Sequence, residues 1–170
     1  MNPDPPGLTE VVGNSGNWAA FGTNGQCQSQ TRCAYCTYPA VEGRARHVSL
    51  GSIEHVVSIA HQRGAVVSLK DSLLLPDRLL EVARVIDNRV SWSGCTKLHP
   101  RLRPDFLAQL VSSGCSTLEI GLETLGDAAQ RLVQKVQPIR LLERVLDGAA
   151  QAGLPVIVNY ITGFPGQDLR

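Results

Sequence analysis

Residues 52–69, "SIEHVVSIAHQRGAVVSL", place a helical pattern directly before a strand pattern. Ser52 is predicted to cap the amino end of the helix, and Gly64 to end it. Residues 65–69 form a continuous apolar run, which predicts a strand buried on both faces. The apolar positions that share one face of the predicted helix are Ile53, Val56, Val57 and Ala60. The stretch therefore indicates a helix followed by a buried strand.

The same alternation continues along the chain. The other predicted strands are 17–22, 90–94, 117–121 and 155–162. The other predicted helices are 76–87, 104–114, 139–153 and a shorter one within 127–135. Strands that alternate with helices imply an α/β protein whose parallel strands are joined by right-handed crossovers. An open doubly wound sheet and a barrel-type array both satisfy this pattern, and periodicity does not separate them.

Polar or conformationally special residues follow the predicted strands. Since the carboxyl ends of parallel strands lie on one face, where such folds place their chemistry, these residues are expected to converge. They are Lys70–Asp71, Cys95–Lys97, Glu123–Thr124 and the turn 162–166, "TGFPG".

Composition restricts the classes of function. The formal net charge of +1 argues against a broad nucleic-acid surface, which would show a basic excess. The first residues carry acids and prolines where a signal peptide would be basic and then apolar, and no apolar run is long enough to span a bilayer. We therefore expect a cytoplasmic protein without a membrane partner, in which clustered cysteines serve as metal ligands or redox centres.

Three of the five cysteines lie close together, at Cys27, Cys33 and Cys36. A zinc ribbon would need a second CxxC pair, and a thioredoxin-type site would have no use for Cys27. A 4Fe–4S cluster with three cysteine ligands uses the whole loop and leaves one iron open for a small molecule. The remaining Cys95 and Cys115 stand among apolar neighbours and are expected to be buried packing residues.

The loop "CAYCTYPAVEGRARHVS", residues 33–49, resembles the cluster-binding loop of radical S-adenosylmethionine (radical SAM) enzymes, particularly the branch often fused to cobalamin-binding domains. An aromatic residue just before the last cysteine, here Tyr35, is typical of that family. Three further matches follow in order along the chain, so the resemblance covers about residues 18–168. They are "KDS" at 70–72, "IGLET" at 120–124 and "TGFPG" at 162–166.

The resemblance implies a fold and a domain organisation. The family core is a partial TIM-type barrel, so we expect an incomplete parallel (βα) barrel of about five strands with interleaved helices. Residues 1–16, rich in Pro, Gly and Asn, are interpreted as a flexible amino-terminal arm. Residues 17–170 are interpreted as a truncated radical SAM core domain.

The resemblance also implies cofactors and partners. They are a 4Fe–4S cluster, S-adenosylmethionine bound at its open iron, and a reductant protein such as a flavodoxin or ferredoxin. One electron from the cluster would cleave S-adenosylmethionine and give a 5′-deoxyadenosyl radical, which abstracts hydrogen from a substrate that the sequence does not identify. The resemblance implies an enzyme, and whether the truncated chain is active alone stays open.

Residue roles follow the matched positions. The resemblance makes Cys27, Cys33 and Cys36 the metal ligands and places Tyr35 near the adenine. Glu123 would be the catalytic-site residue that hydrogen-bonds the methionine or ribose end of the cofactor. The backbone of the turn would pass close to the adenosine at Gly163, Pro165 and Gly166.

Two features depart from the family pattern. Five residues, "QSQTR", separate Cys27 from Cys33, more than the usual spacing, and the sequence ends at Arg170 shortly after the fifth predicted strand. An exposed edge on that strand would favour a second polypeptide that completes the barrel. Two alternatives stay open: a non-catalytic iron–sulfur or zinc-binding module that has lost turnover, and a small thiol-redox protein.

Overall fold

The structure is a computed structural model that describes residues 18–21, 33–37, 47–71, 73–165 and 167. Several predictions from the sequence concern residues outside these ranges. They are the arm at 1–16, the ligand role of Cys27 and the adenosine contact of Gly166.

The described strands form one parallel sheet in the order β1-β2-β3-β4-β5. Because each strand joins the same edge as the chain advances, the order lacks the reversal of a doubly wound sheet. The sheet is not closed, since β1 and β5 do not pair with each other. This confirms the incomplete barrel-type α/β fold. The strands are β1 (Trp18–Phe21), β2 (Val66–Leu69), β3 (Trp92–Thr96), β4 (Cys115–Glu123) and β5 (Val156–Tyr160).

Helices connect the strands as predicted, with small shifts at their ends. The first helix begins before Ser52, so the predicted cap is wrong. Ser49 is the cap, and its hydroxyl oxygen accepts a hydrogen bond from the Ser52 backbone N–H at 3.0 Å. The described helices are α1 (Leu50–Gln62), α2 (Pro76–Ile86), α3 (Pro104–Ser112), α4 (Asp127–Leu132) and α5 (Ile139–Ala152). None of them is long and apolar enough to span a bilayer.

The hydrophobic core lies between the helices and one face of the sheet. Val67 and Leu69 of β2 are buried in it, whereas Val66 is 48% exposed and Ser68 is only partly buried. The prediction that this strand is buried on both faces is therefore wrong, because the core covers only one face of the sheet. Strand residues on the opposite face are only partly buried; they include Ser68, Ser93, Cys95 and Glu119.

β3 begins and ends two residues later than the predicted strand at 90–94. Its pairing with β4 continues through Cys95 and Thr96, which lie opposite Glu119 and Ile120. Cys95 is therefore a strand residue, half-buried on the face opposite the core, rather than a residue that follows the strand. The Thr96 hydroxyl donates to the Leu74 carbonyl oxygen at 2.7 Å and ties the loop after β2 to this strand end.

Candidate active site

The cysteine loop contributes a tight turn at the carboxyl ends of the strands. Ala34 and Tyr35 form the turn, and the Cys36 backbone N–H donates to the Cys33 carbonyl oxygen at 3.1 Å. Both cysteines are half-buried and neither forms a disulfide. The Ala34 backbone N–H donates to the Val133 carbonyl oxygen at 3.0 Å, which attaches the turn to the residue after α4. The two thiols therefore sit on one short turn that is fixed to the rest of the fold.

Tyr35 connects this turn to the end of β4. Its side chain lies near the Glu123 carboxylate and the Cys33 side chain and interacts electrostatically with both. Burial raises the pKa of Tyr35 well above its usual range, and the charges of Glu123 and Cys33 raise it further. The phenol stays protonated and can donate to the carboxylate at any ordinary pH. One side chain thus joins a predicted ligand to the predicted catalytic-site carboxylate.

The "TGFPG" turn reaches the same place from the end of β5. The ring centroids of Tyr35 and Phe164 are 5.4 Å apart with an interplanar angle of 43°. The Gln167 side-chain oxygen accepts from the backbone N–H groups of Gly163 (3.0 Å) and Phe164 (3.2 Å). Gly163 has a φ of +83°, which only glycine adopts without strain. The turn is therefore held in a shape that carries an aromatic ring to the cysteine turn.

Glu123 forms an ion pair with Lys135, which lies between α4 and α5. The ammonium nitrogen is 2.8 Å from Oε1, and the side chains of Lys135 and Glu123 are only 15% and 14% exposed. Glu123 is the last residue of β4 rather than a residue beyond it, and its φ of +73° is unusual for a side chain other than glycine. Backbone strain of this kind is common where a fold must aim a functional side chain.

Gly121 makes room for that ion pair. A Cβ atom on Gly121 would lie 2.6 Å from Oε1 of Glu123 and 3.0 Å from Nζ of Lys135. Atoms do not approach so closely, so any larger residue here would displace both charged groups. The absence of a side chain at Gly121 is therefore a requirement of the observed pair.

The structure brings together four of the residues predicted for the site: Cys33, Cys36, Tyr35 and Glu123, with Gly163 next to Phe164 on the adjoining turn. Pro165 is exposed on that turn. Lys135 and Phe164 were not predicted from the sequence as site residues. Phe164 was inside a motif considered only for its backbone, whereas Lys135 had no local signal, because its partner lies 12 positions away in the chain.

The cysteines outside the loop behave differently from each other. Cys115 is 5% exposed, and burial raises the pKa of its thiol to about 12. This supports a packing role, as expected. Cys95, predicted to be buried as well, is only half-buried.

The donor set suits an iron–sulfur cluster as far as the described residues extend. Soft thiolates are the ligands that iron–sulfur clusters and zinc prefer, and Cys33 and Cys36 offer two of them on one turn. In the ranges that the structure describes there is no group of three or more His, Cys, Asp or Glu side chains that could hold a metal ion. Cys27, the third thiol in the sequence, lies outside those ranges.

Comparisons with solved structures give the fold a context. The chain is similar to methylornithine synthase (PylB) at 17% identity and a TM-score of 0.63, over 85% of this chain and 44% of that one. It is similar to OxsB, a cobalamin-dependent S-adenosylmethionine radical enzyme solved with aqua-cobalamin and S-adenosylmethionine bound, at 12% identity and a TM-score of 0.66, over 84% and 23%. It is similar to HydG, a maturase of the [FeFe]-hydrogenase, at 14% identity and a TM-score of 0.61, over 83% and 34%.

The chain spans less than half the length of each of these proteins, and identities this low show a shared fold only. No curated protein matches the sequence significantly. The sequence model of the radical SAM superfamily, in contrast, matches residues 27–170, which include the three-cysteine loop and all the strands that follow it. Members of this family conventionally use a 4Fe–4S cluster and S-adenosylmethionine. The chain belongs to the radical SAM superfamily.

Proposed function

We propose that the chain binds a 4Fe–4S cluster through Cys27, Cys33 and Cys36 and binds S-adenosylmethionine next to it. When bound and reduced, the cluster supplies one electron that cleaves S-adenosylmethionine and yields a 5′-deoxyadenosyl radical, which abstracts hydrogen from a substrate not yet identified. The observation that carries this proposal is the position of the Tyr35 side chain, which interacts electrostatically with both Cys33 and Glu123. The Tyr35 side chain is thus near both a thiol of the cysteine turn and the Glu123 carboxylate.

The Glu123–Lys135 pair suits the amino-acid end of S-adenosylmethionine. That end carries one ammonium and one carboxylate group, which complement the carboxylate of Glu123 and the ammonium of Lys135. Both side chains are about 15% exposed, so their charges are poorly screened by solvent. We propose that Glu123 accepts hydrogen bonds from the cofactor and that Lys135 donates one to its carboxylate.

Aromatic side chains suit the adenine end. Tyr35 and Phe164 present two ring faces at the end of the sheet, and bases stack favourably on such rings. The Gly163 backbone beside them can approach a ligand closely, because it carries no side chain. The contacts assigned to Pro165 and Gly166 stay predictions, as does the arm at 1–16.

The proposed chemistry needs further partners. A small electron carrier such as a flavodoxin or ferredoxin would reduce the cluster, and a reducing cytoplasm would keep the thiols available as ligands. A second polypeptide that pairs with the outer edge of β5 stays a prediction. The described part of the sheet is compatible with it, since Ile157 on that strand is 50% exposed.

Anaerobic reconstitution with iron and sulfide tests the ligand assignment. We expect about four irons per chain, the content of a cubane cluster. Replacing Cys27, Cys33 or Cys36 with alanine should abolish the cluster. Cys115→Ala is the matched control, because this thiol is buried away from the loop, and it should load normally. Loss of the cluster in the Cys115 variant alone would contradict the assignment.

Chromatography of the reduced protein with S-adenosylmethionine tests turnover. We expect slow formation of 5′-deoxyadenosine without added substrate, weakened by Glu123→Ala and lost in Cys36→Ala. A fully loaded protein that forms no 5′-deoxyadenosine would favour a non-catalytic iron–sulfur module. Bound zinc without sulfide would favour a zinc module, and the absence of any metal would favour a thiol-redox protein.

A further inference from the structure

Two buried glutamines, Gln130 and Gln137, form an interlocked pair beneath the candidate site. They are 3% and 4% exposed. The Gln130 side-chain amide donates to the carbonyl oxygens of Thr124 (3.2 Å) and Gln137 (2.8 Å), and its oxygen accepts from the Gln137 backbone N–H at 2.8 Å. Every hydrogen-bonding atom of the Gln130 side chain therefore has a partner, as a buried amide requires.

Gln137 connects this pair to the sheet. Its side-chain amide donates to the carbonyl oxygens of Gly121 (2.9 Å) and Leu122 (3.2 Å) in β4, and its oxygen accepts from the Leu98 backbone N–H at 2.9 Å, just after β3. The β4–β5 register shifts between Gly121 and Glu123, so regular pairing is interrupted there. Gln137 supplies donors to buried carbonyl groups at this irregularity.

The segment held in this way, residues 133–137, makes two of the contacts that assemble the site. The Val133 carbonyl oxygen accepts from Ala34 of the cysteine turn, and the Lys135 ammonium pairs with Glu123. Between them, Gln134 has a φ of +56°, a left-handed conformation that persists only when its surroundings enforce it. The Lys135 backbone N–H donates back to the Gln130 carbonyl oxygen at 3.0 Å.

We propose that Gln137 is a positioning residue for the cofactor site. It fixes the 133–137 segment to the ends of β3 and β4, and so places the Lys135 ammonium beside Glu123 and the Val133 carbonyl beneath the cysteine turn. Gln137 contacts no cofactor itself and acts through Lys135. Its role toward S-adenosylmethionine rests on the proposed function, whereas its effect on Lys135 does not.

Amine labelling tests the effect on Lys135 without any cofactor. Acetylation of lysines on the folded protein, read by mass spectrometry, should be slow at the 15%-exposed Lys135 and fast at the exposed Lys70, which serves as an internal reference. In Gln137→Leu, which keeps the volume but not the hydrogen bonds, we expect labelling of Lys135 relative to Lys70 to rise by about three-fold or more, because local opening becomes easier.

Val57→Ala is the control for a general loss of stability. Val57 is fully buried on α1 in the hydrophobic core. At a temperature that gives both variants the same fraction folded, Lys135 labelling should rise only in Gln137→Leu. If Gln137→Leu does not fold, Gln130→Met removes three of the pair's hydrogen bonds and should raise Lys135 labelling in the same direction by a smaller factor. Equal labelling in the glutamine variant that folds and in Val57→Ala would overturn the proposal.

Ligand binding separates this inference from the proposed function. Equilibrium dialysis would compare S-adenosylmethionine with 5′-methylthioadenosine, which lacks the amino-acid end. We expect Gln137→Leu to weaken the binding of S-adenosylmethionine by about ten-fold, since one lost charged contact changes an affinity by roughly that factor. The binding of 5′-methylthioadenosine should weaken by less than about two-fold. Wild-type protein that binds neither compound would refute the proposed function, while the labelling result would still decide the role of Gln137. If Gln137→Leu weakened the binding of both ligands equally, the positioning role would be overturned.

Discussion

Two ion pairs in this molecule have similar geometry and different surroundings. Arg89, just before β3, makes two hydrogen bonds to the Glu54 carboxylate on α1, and both side chains are substantially exposed, at 31% and 49%. Lys135 pairs with Glu123 at the opposite ends of the strands, where both side chains are about 15% exposed. The Arg89 pair joins two surface elements, whereas Glu123 of the Lys135 pair interacts electrostatically with Tyr35 of the cysteine turn.

The contrast shows that distance does not identify a functional pair. The exposed pair has the shorter contact and joins α1 to the loop before β3, in which Asp87 and Asn88 also have positive φ angles. The shielded pair requires a left-handed Glu123, a register shift in β4, a missing side chain at Gly121 and a left-handed Gln134. Conformationally unfavourable features of this kind persist where the placement of a charge matters more than local stability.

The largest difference is expected when each carboxylate is neutralised. Glu123→Gln leaves the shielded Lys135 ammonium without its counter-charge and removes the acceptor proposed for the cofactor. We expect S-adenosylmethionine affinity to fall by about 30-fold or more, the effect of truncating one partner of a desolvated charge pair. Equilibrium dialysis of the cluster-loaded protein measures it.

Glu54→Gln is the matched control, since it removes the same charge from the exposed pair. We expect unchanged S-adenosylmethionine binding. Equal losses in the two variants would show that the pairs do not differ in function and would remove Glu123 from the site.

The buried thiol of Cys115 makes the stability of the fold depend on pH. Its folded-state pKa is about 12, above the value of 9.0 for an unperturbed thiol, so its contribution to stability is present below pH 9 and is lost as the pH rises toward 12. At about pH 10.5 the free energy of unfolding should be lower by about 2 kcal/mol on this account. Urea unfolding of the wild type and of Cys115→Ala, each at about pH 8.5 and 10.5, isolates the effect. The alkaline loss should be smaller in the variant, and an identical loss would contradict the burial of this thiol.

Gly121→Ala is expected to disturb only the shielded pair. The new methyl group would meet the ends of two flexible side chains, which can move without unfolding the protein. We expect S-adenosylmethionine affinity to fall by about ten-fold, the size of one displaced charged contact. Gly51→Ala on α1 is the control, because its nearest neighbour is 3.9 Å away and alanine favours helices by about 0.5–1 kcal/mol. An unchanged affinity in Gly121→Ala would mean that the close approach has no functional role.

The sequence predicts the order of the elements well because each is encoded locally. The helical spacing of Ile53, Val57 and Ala60 is confirmed by their burial in the core. The prediction of the cap at Ser52 is wrong because Ser49 has the same chemistry and stands where the preceding chain turns. The prediction that the strand at 65–69 is buried on both faces is wrong, because an apolar run does not reveal whether one face of the sheet or both are covered.

The site could be predicted only in part, for a physical reason. Cys33, Tyr35, Cys36 and Glu123 lie in short motifs, and chain connectivity brings the ends of parallel strands together. The position of Lys135 depends on Gln137, whose side chain bonds to residues near 98 and 121. Such a buried network has no periodic pattern, so it becomes visible only when the packing is known.

The smallest expected effect is the loss, in acid, of the stability that the exposed Arg89–Glu54 ion pair contributes. Hydrogen bonding to Arg89 lowers the pKa of Glu54 below 4.5, the ordinary value for a glutamate side chain. Because the folded-state pKa is depressed, the pair stabilises the fold above pH 4.5 and this contribution is lost as the pH falls through the folded-state value. Glu54→Gln should therefore have a slightly lower Tm than the wild type at pH 7, and the difference should vanish in acid and shrink in high salt, which screens exposed charges. Thermal unfolding at pH 7 and pH 3, each in low and high salt, measures this difference. A Tm difference that persists at pH 3 would show that Glu54 stabilises the fold by packing rather than by charge.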